Sequence, residues 1–192
     1  MANKFNSYIN NIDTEFIKEI CIRKGKVVQL CRNDFFVKEK EIFPYIGFVD
    51  TGVLKYTCTN IAENKNYNTG FAFPNEFVAD YPVCLYNSPS TTNIQAITIC
   101  KVYICHSNEI CAQYEHDIEG QRKARINAEQ LFQQTYSRYL DIYRLSPEER
   151  YKELLKRCPD ILQMISLKDI ASYLRITPIH MSRIRRNITF SE

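Results

Sequence analysis

Short apolar runs rich in β-branched and aromatic residues alternate with turn residues over the first half of the chain. Between about Cys21 and Cys105 the runs are VVQLC, IGFVDTGVLKYTCT, TGFAF and NIQAITICKVYIC. Four glycines interrupt the same region. Several short strands at this spacing are typical of an all-β sandwich or barrel, so we predict a β domain here.

The pattern changes at Ser107, where a stretch with no proline and one glycine runs to Leu145. We predict one long helix, because a stripe that is apolar at both ends recurs at alternating spacings of four and three. The stripe comprises Tyr114, Ile118, Gln121, Arg125, Ala128, Phe132, Thr135, Tyr139 and Ile142. Such a stripe must lie on the β domain of its own chain or on a second copy. We favour the second copy, with a dimer interface that includes Tyr114, Ile118, Ala128, Phe132 and Tyr139.

Helix-start signals are concentrated in the last fifty or so residues. Ser146-Pro147-Glu148-Glu149 combines an N-cap, a proline at the first helical position and a glutamate that completes a capping box. Ser166 opens a second helix, and Thr177-Pro178 opens a third. Two short helices joined by about three residues form the helix-turn-helix pattern.

The helix after Thr177 has two different faces. Met181, Ile184 and Ile188 share one face, while the opposite face carries polar side chains and arginines. A polar face that bears arginine fits a helix lying in the DNA major groove. The alternative is an ordinary helical hairpin with a solvated face.

Composition places the chain among globular proteins, and charge points to its C-terminal end. It has 192 residues, of which 45% are hydrophobic and 24% charged, with a formal net charge of +3. The N-terminal stretch is polar and resembles no signal peptide, and the longest apolar run is too short to span a bilayer. We therefore expect a cytoplasmic protein with no membrane partner. The segment between Ser166 and Phe190 contains one acid, Asp169, and five basic residues: Lys168, Arg175, Arg183, Arg185 and Arg186. This basic segment is a candidate footprint for nucleic acid.

The spacing of the cysteines and the lack of catalytic motifs argue against a metal and against catalysis. Eight cysteines occur without any CxxC pair, so we expect small buried apolar side chains rather than a metal site. The chain has no nucleophile elbow, P-loop or dinucleotide fingerprint. An enzyme on a cupin-like barrel would need clustered ligands, but the β region has only His106. We therefore predict no enzymatic activity and no cofactor.

The segment from Leu145 to Ile188 resembles the Crp/Fnr family of bacterial transcription regulators. Ile170-Ala171-x-x-Leu174 and Ser182-Arg183-Ile184 match that family's signature positions. The resemblance implies an α+β fold: a cyclic-nucleotide-binding-type β-roll (a jelly roll) over 1–107, a dimerisation helix over 108–141, and a winged helix-turn-helix over 142–192. Because the chain stops soon after the third helix, we expect little or no C-terminal wing.

The same resemblance implies a homodimeric, sequence-specific DNA-binding regulator that reads an inverted-repeat operator through recognition helix 178–188. RNA polymerase is a further implied partner. The expected DNA-binding residues are Lys168, Thr177, Ile179, His180, Ser182, Arg183, Arg185 and Arg186. The alternative is a β-roll that senses a small molecule or a partner and binds DNA weakly or without specificity.

This sequence departs from the family pattern in the turn of the helix-turn-helix and in the effector pocket, among other places. Arg175 stands in the turn where the family often has glycine, so a positive φ would cost about 1 kcal/mol. The resemblance places a degenerate effector pocket at Glu76, Thr91 and Thr92. Since no lysine or arginine occurs between Gly70 and Ile99, we expect that pocket to lack the cation that a cyclic phosphate needs. Cyclic AMP is therefore not the expected effector, whose identity the sequence leaves open.

Overall fold

The computed structural model describes Phe5, Asn6 and residues 14–189, and it has the expected α+β architecture. The strands are β1 Lys26–Leu30, β2 Phe35–Val37, β3 Tyr45–Thr51, β4 Leu54–Asn60, β5 Lys65–Ala72, β6 Phe77–Val78, β7 Asn93–Ala96 and β8 Cys100–His106. The helices are α1 Thr14–Lys24, α2 Ser107–Glu115, α3 Ile118–Arg144, α4 Pro147–Arg157, α5 Ile161–Met164, α6 Leu167–Tyr173 and α7 Pro178–Thr189.

The strands form two antiparallel sheets that pack face to face. Their orders are β1-β8-β3-β6 and β2-β7-β4-β5. Val49 lies opposite Val102 in the first sheet, and Leu54 lies opposite Ala96 in the second. These four side chains belong to one buried cluster, because alternate residues of each strand point inward. The predicted β-roll is confirmed.

A helix that the sequence pattern missed precedes the roll. Cys21, expected near the start of the β region, lies in α1 instead. It is buried with Ile20, and both pack against Phe48, Cys105 and the neighbouring α2 helix. The apolar positions of α1 are too few for the helical period to stand out from the strands that follow.

The predicted single long helix is wrong at one point, where it divides into α2 and α3. Asp117 adopts an extended conformation there, and its Oδ1 atom accepts a hydrogen bond of 2.6 Å from the Gly120 amide. It is therefore the N-cap of α3. The break keeps α2 on the roll and lets the 27-residue α3 begin in a new direction.

The C-terminal helices begin where their capping signals predict. Ser146 accepts from the Glu149 amide at 3.3 Å, and the Glu149 carboxylate accepts from the Ser146 amide at 2.7 Å. Ser166 likewise accepts from the Asp169 amide at 3.1 Å. The expectation of little or no wing concerns residues after Thr189, which lie outside the described part of the chain. Among the described residues, no helix combines the length and the apolar character needed to cross a membrane.

The roll and the helix-turn-helix share one hydrophobic cluster. Phe71 and Phe73, at the end of β5, are buried together with residues of α4 to α7. The helical members are Tyr151, Leu154, Cys158, Ile161, Ile165, Ile170, Ala171, Leu174, Met181 and Ile184. The C-terminal helices are thus packed directly on the roll.

The cysteines follow the expected pattern in part. Five are buried: Cys21, Cys84, Cys100, Cys105 and Cys158. Cys31 and Cys58 are exposed, so the expectation of burial is wrong for these two. Both lie at or near strand ends where one face of the sheet is open to solvent.

Arg150 joins the end of α3 to the end of α6. Its guanidinium donates to the carbonyl of Leu145 at 2.7 Å and to that of Leu174 at 3.0 Å. Carbonyls at helix C-termini lack helical partners, so a cation that binds two of them stabilises both ends.

Replacing Arg150 by alanine should therefore lower the free energy of unfolding by about 2–3 kcal/mol, because charge-assisted hydrogen bonds are lost at two helix ends. Urea denaturation measures the change. Lys152→Ala, on the same helix in an exposed pair with Glu148, is the control and should change it by less than about 1 kcal/mol. Equal effects of the two substitutions would contradict the bridging role.

Candidate nucleic-acid interface and ligand cavity

Helices α6 and α7 pack across a short turn, as the sequence predicts. Ile170 and Ala171 of α6 are buried against Met181 and Ile184 of α7. Alanine at the crossing allows the two helix axes to approach closely. The packing fixes the opposite face of α7 toward solvent.

The turn between α6 and α7 has the left-handed backbone conformation that glycine adopts most easily. Arg175 has φ 56°, and its amide donates to the Ser172 carbonyl at 3.1 Å. The guanidinium of Arg175 lies 5.3 Å from the centroid of the Tyr67 ring on β5. This cation–π contact with the roll offsets part of the backbone strain.

All eight predicted DNA-binding residues are exposed, and they lie on α7, just before it or on α6: Lys168, Thr177, Ile179, His180, Ser182, Arg183, Arg185 and Arg186. Two of them also serve the helix itself. The Thr177 hydroxyl accepts from the His180 amide at 3.2 Å, which caps α7. The Ser182 hydroxyl donates to the Pro178 carbonyl at 3.0 Å.

Arg185 is directed away from the other arginines of α7. At about 100° per residue it lies on the flank of the helix, whereas Arg183 and Arg186 lie within about 60° of each other. Burial raises the pKa of Tyr151 on α4, while the charge and a hydrogen bond of Arg185 oppose that rise. Arg185 therefore packs toward α4, and Arg183 and Arg186 form the outer basic face.

Asp169, the acid within the basic segment, is bound to the roll. Its carboxylate accepts from Lys55 Nζ at 3.2 Å and from Asn68 Nδ2 at 3.0 Å. Burial would raise the pKa of Asp169, but hydrogen bonds from Ser166 and Asn68 and the charge of Lys55 hold it below its usual value. Because its charge is already compensated, Asp169 does little to neutralise the arginines of α7.

The structure divides the predicted dimer stripe: part of it lies on the solvent side of α3, and part of it, with Tyr114 on α2, faces the roll. Phe132 is 68% exposed and stacks on Tyr136, with ring centroids 5.7 Å apart. Tyr139 and Ile118 are also exposed. Tyr114 and Ala128 are instead half-buried and line a cavity beside the helix.

That cavity, of about 780 Å³, lies between the roll and α3. Aromatic side chains form much of its wall, namely Tyr56, Phe71, Phe77, Tyr81 and Tyr114. Helix α3 contributes a second stripe at spacings of four and three, which shares Ala128 and Thr135 with the predicted dimer stripe. It comprises Ala124, Ala128, Leu131, Thr135 and Arg138. Within the described residues, no three His, Cys, Asp or Glu side chains are grouped as a metal site.

Solved structures with the same arrangement come from several bacteria. FixK2 from Bradyrhizobium japonicum has a TM-score of 0.74 at 18% identity, over 87% of this chain and 85% of that one. The regulator CLP from Xanthomonas campestris has 0.67 at 9% identity, over 93% of each chain. TTHA1359 from Thermus thermophilus, a CRP/FNR-family transcriptional regulator, has 0.62 at 10% identity, over 86% and 87%. The chain has the Crp/Fnr fold. No protein-family model and no curated protein matches the sequence.

Thr91 and Thr92 lie in the cavity wall of this Crp/Fnr fold, where the resemblance put them. Their polar groups already have partners. The Thr91 amide donates to Asp80 Oδ2 at 2.7 Å, and the Thr92 hydroxyl donates to the Thr57 carbonyl at 2.7 Å. These contacts hold the wall of the cavity in place.

Glu76 does not line the cavity, so its assignment to the effector pocket is wrong. Its side chain is buried, with 2% of the residue exposed. The carboxylate accepts from the Phe73 amide at 3.0 Å and from Asn6 Nδ2 at 2.5 Å. The physical reason is the tight turn after β5, which directs the carboxylate inward toward the N-terminal residues.

The expectation of a pocket without a cation is also wrong, because Arg138 of α3 lines the cavity. Residues 70–99 contain no lysine or arginine, and the cation comes from a helix well beyond that range. The second stripe of α3 could have revealed Arg138, since it continues the spacing of Ala124, Ala128, Leu131 and Thr135.

Burial raises the pKa of Glu76 to about 7, against hydrogen bonds from Phe73 and Asn6 and the charge of Arg138. The folded protein therefore holds a proton more tightly than the unfolded chain does. The resulting stabilisation is fully present below about pH 4.5 and is lost as the pH rises through about 7.

We expect the free energy of unfolding to fall by about 2 kcal/mol more in the wild type than in Glu76→Gln between pH 5.5 and 7.5. Glutamine does not titrate, so the variant lacks this contribution. Urea denaturation at both pH values gives the difference, and the contributions of all other groups cancel between the two proteins. Parallel pH profiles would contradict the assignment.

Proposed function

We propose that the chain is a homodimeric transcription regulator of the Crp/Fnr type, which binds an inverted-repeat operator through α7. The observation that carries this proposal is the outward face of α7. It exposes Arg183 and Arg186, while the opposite face is packed against α6 and the nearby Asp169 is bound to the roll. The similarity to a CRP/FNR-family transcriptional regulator supports the proposal. Contact with RNA polymerase and a cytoplasmic location stay predictions.

The two arginines divide base reading from phosphate binding. Arg183 lies one turn into α7, a depth from which a guanidinium reaches guanine O6 and N7 in the major groove. Arg186 lies almost one turn further along, closer to the DNA backbone. Ile179, 69% exposed at the start of α7, offers an apolar contact to a thymine methyl group.

We expect Arg183→Ala to weaken binding to the specific site by about 1–3 kcal/mol and to relax preference at one base pair per half-site. Arg186→Ala should weaken all DNA about equally and lower the salt slope by about one unit per phosphate contact. Fluorescence anisotropy with a selected operator and with random DNA, over a range of salt, measures both.

Arg32→Ala, an exposed arginine on the roll, is the matched control and should leave both affinities unchanged. If Arg183→Ala weakened specific and random DNA to the same degree, Arg183 would be a phosphate contact instead. Absence of salt-dependent DNA binding by the wild type would remove the proposal.

Dimerisation through α3 accounts for its exposed aromatic side chains. Phe132, Tyr136 and Tyr139 follow one another along the solvent side of the helix with stacked rings. Large exposed apolar patches mark interaction sites. A second copy with the same stripe would cover them by the pairing that the heptad-like spacing favours.

Phe132→Glu should therefore raise the dimer dissociation constant at least tenfold, or about 1.4 kcal/mol, because it introduces a charge into the apolar contact. Sedimentation equilibrium measures the dissociation constant. The protein concentration is tens of micromolar, about the range in which an interface of standard size holds. The control is Ile61→Glu, which should leave the dissociation constant unchanged. Ile61 lies at a hairpin tip and is 92% exposed. A monomeric wild type would overturn the interface.

The cavity supports ligand sensing by the roll, and cyclic AMP is not the ligand that its chemistry favours. Arg138 is held by other groups of the protein, and Asp80 and Glu115 add carboxylates to the wall. A cyclic phosphate would meet two acids and one engaged cation. The second candidate function is therefore a β-roll that senses a small molecule or a partner, in a protein that binds DNA weakly or without specificity.

Isothermal titration of the wild type with cyclic AMP should give no binding below millimolar concentration. Arg138→Ala is tested beside it, since a cation that bound the phosphate would be Arg138. Submillimolar affinity that disappears in Arg138→Ala would show that the arginine reorients toward the phosphate, and this interpretation of the cavity would fail.

A further inference from the structure

Phe5 is buried at the junction of the roll and the helix-turn-helix. None of its surface is exposed. Its ring centroid lies 5.6 Å from those of Phe71 and Phe73 and 5.5 Å from that of Tyr173. Phe71 and Phe73 belong to the roll, while Tyr173 ends α6, so one side chain contacts both parts. Aromatic pairs at these distances and tilts are favourable beyond the apolar area that they bury.

Helix α3 provides the third wall around Phe5. The Arg138 guanidinium lies 4.4 Å from the centroid of the Phe5 ring and donates to the Phe5 carbonyl. It also donates to Asn6 Oδ1 at 3.4 Å, as does Gln134 Nε2 at the same distance. The site thus binds main chain and side chain together.

The neighbouring Asn6 is bound through every polar group of its side chain. Its Nδ2 atom donates to Glu76 Oε2 at 2.5 Å and to the Phe71 carbonyl at 3.2 Å, while Oδ1 accepts from α3. Its main-chain amide donates to Glu76 Oε1 at 3.3 Å. Asparagine has two donor hydrogens and one acceptor oxygen, and all three are used. Aspartate would place a second carboxylate against Glu76, and an apolar residue would leave the buried acid without this donor.

We propose that Phe5 and Asn6 act as an intramolecular ligand, held in a peptide-binding site that the roll, α3 and α6 build together. The site has an apolar pocket for the phenyl ring and a polar cradle, formed by Glu76, Arg138 and Gln134, for the asparagine. Its occupation holds the helix-turn-helix on the roll. Asn6 also lines the cavity, so the bound segment closes one part of that wall. This inference does not depend on DNA binding.

Thermal unfolding of full-length variants tests the contribution of each side chain. We expect Phe5→Ala to lower the midpoint by about 10 °C and Asn6→Ala by about 5 °C, because the first empties a core site and the second removes the side-chain donor to Glu76. Phe35→Ala, a half-exposed phenylalanine on β2, is the matched control and should lower it by about 2 °C or less. If Phe5→Ala and Asn6→Ala both unfolded at the same midpoint as the wild type, the proposal would be overturned.

Peptide binding distinguishes a ligand site from a merely structural contact. A fluorescein-labelled peptide of residues 1–8 is titrated into the full-length double variant Phe5→Ala, Asn6→Ala and into the wild type. We expect saturable binding to the double variant at least tenfold tighter than to the wild type, whose own segment occupies the site. The peptide should also raise the variant's unfolding midpoint. Equal binding to both proteins, or equal binding of a peptide carrying the same two alanines, would overturn the proposal.

Exchanging the acid and the amide between positions 6 and 76 gives an answer even if the double variant does not fold. At about pH 8.5, where Glu76 is ionised, Asn6→Asp should lower the unfolding midpoint more than Asn6→Ala, since two carboxylates then face each other. Adding Glu76→Gln should recover part of that loss, because the glutamine amide donates to the new aspartate. Failure of Glu76→Gln to recover any of the loss would overturn the specific pairing of Asn6 with Glu76.

Discussion

The structure depends on one hydrophobic cluster that the roll and the helix-turn-helix share. Phe71 and Phe73 contribute from the end of β5, and Tyr151, Ile170 and Met181 contribute from the helices. Stabilisation grows with the apolar area removed from water, so separating the two parts would be costly because it would expose this shared cluster. Polar contacts across the same boundary then select one orientation. The direction in which α7 faces is consequently a property of the whole chain.

The backbone conformations of two residues determine the directions in which α3 and α7 run from that core. Asp117 ends one helix direction and begins another, so α3 leaves the roll with one side toward the cavity and one toward solvent. Arg175 turns the chain through the left-handed region, so α7 crosses α6 instead of continuing it. Neither residue is glycine. Each has a compensating contact, a cap for Asp117 and an aromatic ring for Arg175.

Patterns along the chain predict the elements whose determinants are local. The capping box at Ser146, the two faces of α7 and the alternation of the strands all depend on neighbours within a few positions, and each is confirmed. The role of Glu76 and the presence of Arg138 in the cavity depend on contacts between distant segments. Asn6 lies 70 positions before Glu76, and no local spacing encodes that meeting. The break at Asp117 falls between these cases, since aspartate is an N-cap residue but occurs inside helices as well.

The link between α3 and α6 through Arg150 has a geometric consequence. At about 1.5 Å per residue, the 27 residues of α3 form a rod about 40 Å long. Rotating such a rod by about 5° about its N-terminal end moves the other end by about 3.5 Å, roughly the spacing of one base-pair step. Arg150 binds the carbonyls at the far end of the rod and at the end of α6 with a single guanidinium. A lever of this length would magnify a small change of packing at the N-terminal end of α3 into a displacement of about 3.5 Å at its far end, where Arg150 also holds the end of α6.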